Sequence, residues 1–319
     1  MDTRIDLLVR IAELYYQQGL NQQEIGKIMN MSRPTISRML DEAKSTGVVE
    51  IIVHSPVRKH PELSHAIRSA FDLRDAVVIA GKYESDKALR RCAEAAASFL
   101  HTVLDHNMTL GISWGLPMQY LCEALKPSSY YNLHVVQMAG CLGTGNPHFD
   151  GLELALEISK RLDGTYSNIY APVYVDSEIV HSYLIAEPQI ESTLKMALST
   201  DVIVTGIGSL RDPWSTLQKA GFYDDAMRME LLGRGAVGHL LARMFDQNGQ
   251  EMDFPGRFAI TAPLHAMRSA QWSIGICVSA LKAEAVLGAL RGKYLNVLII
   301  DEALATRLLE LHAQSTAEA

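Results

Sequence analysis

The sequence has little that would place it in a membrane, an oxidising compartment or a metal-binding class. Its 319 residues include only four cysteines, Cys92, Cys122, Cys141 and Cys277, at no zinc or redox spacing. Reduced thiols in a reducing compartment are expected. No apolar run reaches the roughly 20 residues that span a bilayer, and the opening MDTRIDLL lacks the basic-then-apolar pattern of a secretion signal. A cytoplasmic protein with no metal or cofactor is the expectation. An excess of positive charge is also missing, since 29 Lys and Arg stand against 36 Asp and Glu. Over the whole chain that balance argues against a nucleic-acid partner. The average hides an asymmetry, however. Residues 1–60 hold 8 basic and 7 acidic side chains, which leaves 21 against 29 for the remainder, so the acidity belongs to the larger C-terminal part. The 48% hydrophobic content and the length suffice for two domains with real cores.

The N-terminal segment carries the most local information. Leu7, Leu8, Ile11, Leu14 and Tyr15 share one helical face. A second short helix follows, with Asn21 as its N-cap and Ile25, Ile28 and Met29 turned inward. Gly26 sits in the middle of that helix, where glycine costs roughly 1 kcal/mol against alanine, so close approach of another helix is expected there. Asn30 can take the left-handed conformation of a sharp turn, Ser32 can cap the next helix, and Pro34 falls in its tolerant first turn. Ile36, Met39, Leu40 and Ala43 form the buried stripe of this third helix. Arg33, Thr35, Ser37 and Arg38 lie on the other face, where a recognition helix presents arginines and hydroxyls to bases and phosphates. Gln22, Gln23 and Ser32 are assigned to the same DNA-facing surface. Gly47 ends the helix, and VVEIIVHSP predicts a short strand serving as a wing. An amphipathic three-helix cap with a solvated polar face is the plainer alternative. The segment is poor in the cations that supply DNA affinity, so two or more copies per site, hence an oligomer, are expected.

After Leu73 short apolar runs alternate with helical stretches, and runs such as NVLII show no polar alternation. A mostly parallel sheet covered on both faces is predicted. Ligands bind such sheets at the carboxyl ends of strands. Three glycine loops follow predicted strands: Gly111 to Gly115 with Ser113 and Trp114, Gly140 to Asn146 with Gly143, Thr144 and Gly145, and Thr205 to Ser209 with Gly206 and Gly208. Glycine lets backbone N–H groups approach an anion, although a glycine after a strand is also simply a turn. Together the loops point to a small polar ligand, and none matches a nucleotide-binding pattern. Lys282, near the start of a predicted helix, would face the same sheet edge or lie solvated on the surface. Asp301 reads as an N-cap, His148 as a loop histidine and His239 as a helix-surface residue. No nucleophile–base pair or metal spacing stands out.

In order and spacing, LNQQEIGKIMNMSRPTISRMLDEAKSTGVVEI, GISWG, GCLGTG, IVTGIG, AVGHLLARMFDQNGQ and LGALRGKYLNVLIIDEALA resemble the SorC family of sugar-responsive bacterial transcriptional regulators over nearly the whole chain. The resemblance implies a winged helix-turn-helix at residues 1–56. It implies a Rossmann-like effector-binding and oligomerisation domain at 57–319, similar to sugar-phosphate isomerases but acting as a sensor. The implied partners are double-stranded operator DNA and a sugar, polyol or sugar phosphate, in a homo-oligomer that is typically a tetramer. Carried over, the loops at Gly111–Gly115, Gly140–Gly145 and Gly206–Gly208 become anion loops, with Lys282 near the phosphate. Three motifs depart from the common pattern. Leu116 and Pro117 replace Arg-Thr, Val278 and Ser279 replace Gly-Gly, and His239 stands after AVG where an acid is frequent. A free sugar or polyol therefore stays as open as a phosphorylated one. An isomerase-like enzyme with a helical cap and a protein-binding adaptor are the competing readings.

Overall fold

The computed structural model describes residues 3–49, 57–143, 150–211 and 216–317. The chain divides into two units, Met1–Pro56 and Val57–Ala319. The first contains α1 (Thr3–Ala12), a wider helical turn at Glu13–Gln17, α2 (Gln22–Met29) and α3 (Arg33–Ser45). Its start and stop signals are local. The Asn21 side chain accepts from the N–H groups of Gln23 and Glu24, and the Glu24 carboxylate accepts from the Asn21 N–H at 2.8 Å, a reciprocal capping box. Asn30 ends α2 at φ 53°, ψ 46°. Ser32 caps α3 through the Thr35 N–H, with Pro34 in the first turn.

Leu8, Ile11, Leu14, Ile25, Ile36, Met39, Leu40 and Ala43 form the buried core of this unit. Two expectations are corrected. Ile28 is 57% exposed rather than inward. Gly26 makes room for the turn and not for another helix, since a Cβ there would meet the Met31 carbonyl oxygen at 2.7 Å. The predicted wing lies outside the described residues apart from Val48 and Val49.

Among the described residues the second unit has thirteen strands: β1 (Asp75–Ile79), β2 (Thr109–Ile112), β3 (His134–Gln137), β4 (Thr165–Ser167), β5 (Tyr174–Val175), β6 (Val202–Gly206), β7 (Gly208–Ser209), β8 (Ala236–Leu240), β9 (Arg243–Asp246), β10 (Glu251–Met252), β11 (Phe258–Ala259), β12 (Trp272–Cys277) and β13 (Val297–Asp301). Its helices are α4 (Pro61–Ala70), α5 (Ser85–Val103), α6 (Leu116–Ala124), α7 (Gly151–Arg161), α8 (Glu178–Ala186), α9 (Pro188–Leu198), α10 (Thr216–Lys219), α11 (Asp225–Gly233), α12 (His265–Ser269), α13 (Ala283–Arg291) and α14 (Glu302–Ala317).

Seven strands make one parallel sheet in the order β1-β13-β12-β6-β2-β3-β4. The uninterrupted apolar runs follow from burial on both faces. Val77, Ile79, Val297 and Ile299 pack with α5, α6 and α7, while their neighbours Ala76, Val78, Leu298 and Ile300 pack with α4, α12, α13 and α14. One residue along a strand reverses the face.

The sequence reading missed a second sheet. It is antiparallel, ordered β10-β9-β8-β7. The β8–β9 hairpin turns on Leu241 and Ala242, both at positive φ (48° and 62°). Tight hairpins commonly place Asn-Gly there, so LLAR gave no turn signal.

Candidate functional site

Chain direction sets the site. After β2 the chain enters α6, whose Met118 and Leu121 pack on one face of the large sheet. After β6 it enters the antiparallel sheet, whose Leu240 and Phe245 pack on the opposite face. β2 and β6 are hydrogen-bonded neighbours, so their carboxyl ends diverge and open a crevice, the topological switch point of such sheets. A cavity of about 370 Å³ occupies that place, within the range of small-molecule sites. Ser113, Trp114 and Gly115 line it from the end of β2. Thr205, Gly206, Ile207 and Gly208 line it from β6 and β7, Ile276, Cys277 and Val278 from β12, and His239 and Leu241 from the second sheet. Leu116 and Pro117 line it from the start of α6, and Ser85, Asp86, Leu89, Lys219, Ala220 and Lys282 complete it.

The polar groups are held in defined states. The Thr205 hydroxyl donates to Ser113 Oγ at 2.9 Å across adjacent strands, and both residues are buried. Lys282 Nζ donates to the Ile207 carbonyl at 3.3 Å, which fixes the ammonium beside the Gly206–Gly208 loop. Asp86 accepts from the Tyr120 hydroxyl and from Arg90. The Tyr120 bond, with Arg90 adding to it, holds its carboxyl below the usual range.

His239 lies on β8 opposite Gly208 and is buried, which corrects the helix-surface expectation. Burial, with the Lys282 ammonium nearby, pushes its pKa down to about 3 and keeps the ring neutral. The ring needs Gly208, where a Cβ would stand 2.0 Å from Nε2. Burial pushes the Cys277 thiol up to about 11, leaving a protonated thiol rather than a nucleophile. The Asp301 carboxylate accepts from the Ser279 and Leu304 N–H groups at 3.1 and 3.3 Å. It thereby caps α14 and fixes Ser279, which sits at φ 84° ahead of Lys282.

Of the residues singled out in sequence, Ser113, Trp114, Gly115, Gly206, Gly208 and Lys282 come together in this cavity. Gly111, Gly140 and Gly143 do not line it. A Cβ on Gly111 would meet Met138 Sδ at 2.6 Å, and one on Gly140 the Ala171 carbonyl at 2.7 Å, so both answer to packing. The N–H groups of Leu142 and Gly143 donate to the Asp150 carboxylate. Thr144, Gly145, Asn146 and His148 lie outside the described residues. His239, Asp86 and Lys219 were not assigned to the site from sequence; their proximity depends on long-range pairing.

In the N-terminal unit Gln23, Ser32, Arg33, Thr35 and Arg38 are exposed, and Gln22 and Ser37 are half-buried. Ser32 and Thr35 share a hydroxyl–hydroxyl hydrogen bond of 2.8 Å. Gln23, Ser32 and Arg33 line a shallow groove at the turn together with Lys27, one helical turn beyond Gln23, which the sequence reading passed over. Among the described residues no helix is long and apolar enough to cross a membrane.

The family described as "Putative sugar-binding domain" matches residues 55–310. The sorbitol operon regulator of Klebsiella pneumoniae is 27% identical over 315 residues, 96% of this chain and 98% of its own. The deoxyribonucleoside regulator of Bacillus subtilis is 27% identical over 298 residues, 93% and 95% of the two chains. The crystal structure of the full-length Klebsiella regulator superposes with a TM-score of 0.74 at 26% identity, covering 97% of this chain and 99% of that one. These relatives are named as regulators and not as enzymes. The chain belongs to the SorC family of transcriptional regulators with a sugar-binding domain.

Proposed function

We propose that the N-terminal unit binds double-stranded operator DNA and that the switch-point cavity takes the effector, a sugar, polyol or sugar phosphate, of a carbohydrate or polyol operon. The observation that carries the reading is the division of α3. Ile36, Met39, Leu40 and Ala43 are buried, while Arg33, Thr35 and Arg38 stand exposed at its N-terminal end. A helix so divided is anchored by one face and offers the other to a major groove. Gln22, Gln23, Ser32 and Ser37 flank that face. In the cavity Ser113, Trp114, Gly115, Gly206, Gly208 and Lys282 hold the effector. The regulator acts in the cytoplasm as a homo-oligomer, because each copy brings few phosphate-binding cations, and the resemblance to its family implies a tetramer. Effector binding shifts the oligomer between DNA-competent and DNA-incompetent states through differential affinity for the two.

Fluorescence anisotropy with DNA from upstream of the protein's own operon tests this, with and without sugars, polyols and their phosphates. One compound is expected to change the affinity, and the Arg33→Ala, Arg38→Ala double variant is expected to lose sequence-specific binding. Unchanged operator affinity in that variant sinks the assignment of α3.

A further inference from the structure

Two residues that line the cavity each carry a buried side-chain nitrogen with no hydrogen-bond partner among the described residues: Trp114 at Nε1 and His239 at Nε2. The residues are 8% and 4% exposed. They come from different layers, Trp114 from the end of β2 and His239 from β8 of the second sheet. Buried polar atoms are seldom left unpaired in folded proteins, so two on one cavity wall constitute a demand on whatever enters.

The indole N–H can only donate and requires an acceptor oxygen. A neutral imidazole nitrogen donates or accepts according to tautomer. An imidazolium here would be both desolvated and beside Lys282. A hydroxyl can play either role towards the ring without asking it to take a charge. The rest of the lining is largely apolar, with Leu89, Pro117, Leu241 and Ile276 among it, as suits the carbon skeleton of such a ligand.

We propose that Trp114 and His239 are the pair by which the cavity recognises hydroxyl oxygens of a polyhydroxylated ligand of monosaccharide size, with His239 as a specificity-determining residue. The assignment rests on the effector-binding reading of the cavity. Gly208 belongs to the same device, because any side chain there would displace the ring.

Isothermal titration calorimetry on the full-length protein tests the pair. The probes are sorbitol, sorbitol 6-phosphate, ribose 5-phosphate, 2-deoxyribose 5-phosphate and inorganic phosphate, followed by single-deoxy analogues of whichever organic probe binds. His239→Ala and Trp114→Phe are each expected to weaken that probe about tenfold or more. The deoxy analogue lacking the contacted hydroxyl should lose a similar factor on the wild type and nothing further on the matching variant. His239→Gln, neutral and still able to donate and accept, should retain more affinity than His239→Ala. Wild-type affinity in both truncated variants, with an unchanged circular dichroism spectrum, overturns the pair and leaves the effector reading standing. If a truncated variant does not fold, the His239→Gln titration and the wild-type deoxy series decide, and a flat deoxy series overturns the proposal. No binding of any organic probe to the wild type overturns the effector reading and this proposal with it.

Discussion

The loops at Gly140–Gly143 and Gly206–Gly208 follow the same rule in sequence, glycines placed directly after an apolar strand, yet they serve different ends. The first carries its own anion: Asp150 accepts from the N–H groups of Leu142, Gly143 and Gly151 at 3.2, 3.0 and 2.8 Å. The second sits at the switch point, bounded by Pro117 on one side and the His239 ring on the other. A glycine loop signals a bound anion only when the chain does not already supply one.

Acid gives the largest expected effect separating the two loops. Above pH 6.5 neither the unfolded chain nor the folded one protonates His239, and its burial costs nothing in charge. As pH falls from 6.5 toward about 3 the unfolded chain takes up a proton that the folded site refuses. Stability is therefore lost progressively over that window, by up to roughly 1.4 kcal/mol per pH unit. Urea denaturation at pH 7 and pH 5, wild type against His239→Gln, reads the difference, about 2 kcal/mol at pH 5. Equal pH dependence in both proteins would remove His239 as its source.

Next comes a pair of alanines. Gly208→Ala, driven into a buried ring, is expected to cost about 2–3 kcal/mol. Gly143→Ala meets nothing within 4 Å and only keeps a φ of +69°, which costs about 1 kcal/mol. Thermal unfolding in the opposite order would erase the distinction between the loops. Asp150→Asn should cost about 1 kcal/mol as a weakened cap and leave effector affinity alone, whereas Lys282→Gln should do the reverse. The smallest effect is expected at the hairpin beside the cavity. Ala242→Gly relieves a positive φ of 62° and should stabilise by about 0.5 kcal/mol, measurable as a rise in Tm.

What the sequence made legible was what neighbouring residues decide among themselves. Asn21, Asn30, Ser32 and Pro34 announce their roles within three or four positions, and the structure places each as expected. The parallel sheet was legible because NVLII and its like are apolar on both alternations. Ile28 misled because α2 is only two turns long and its core contact is narrow; Ile25 takes it. His239 was hidden for a physical reason. The stretch AVGHLLARMFD has helical spacing, and the turn that makes it a hairpin uses Leu241 and Ala242, residues that seldom accept positive φ. With the turn unread, strands β7 to β10 were unread, and so was the residue that closes the cavity. Lys282 stands on the short turn Ala280–Lys282 that follows β12, so its place at the sheet edge is set locally, whereas Asp86 and Lys219 reach the cavity only through tertiary packing.

The edge pairing of the large sheet sets an order for biosynthesis. β1 has β13 as its neighbour in the sheet, with Asp75 opposite Val297 and Ile79 opposite Asp301, and only a single bridge from Lys59 to Ile79 on its other side among the described residues. β1 must therefore wait for more than two hundred further residues before its parallel neighbour is made. The cavity waits almost as long, since its walls come from β2, β6 and β12. Nascent chains consequently pass through a long interval with an apolar strand that lacks its parallel partner, the condition that recruits chaperones. A cavity assembled this late can take a ligand only once synthesis of the chain is nearly finished.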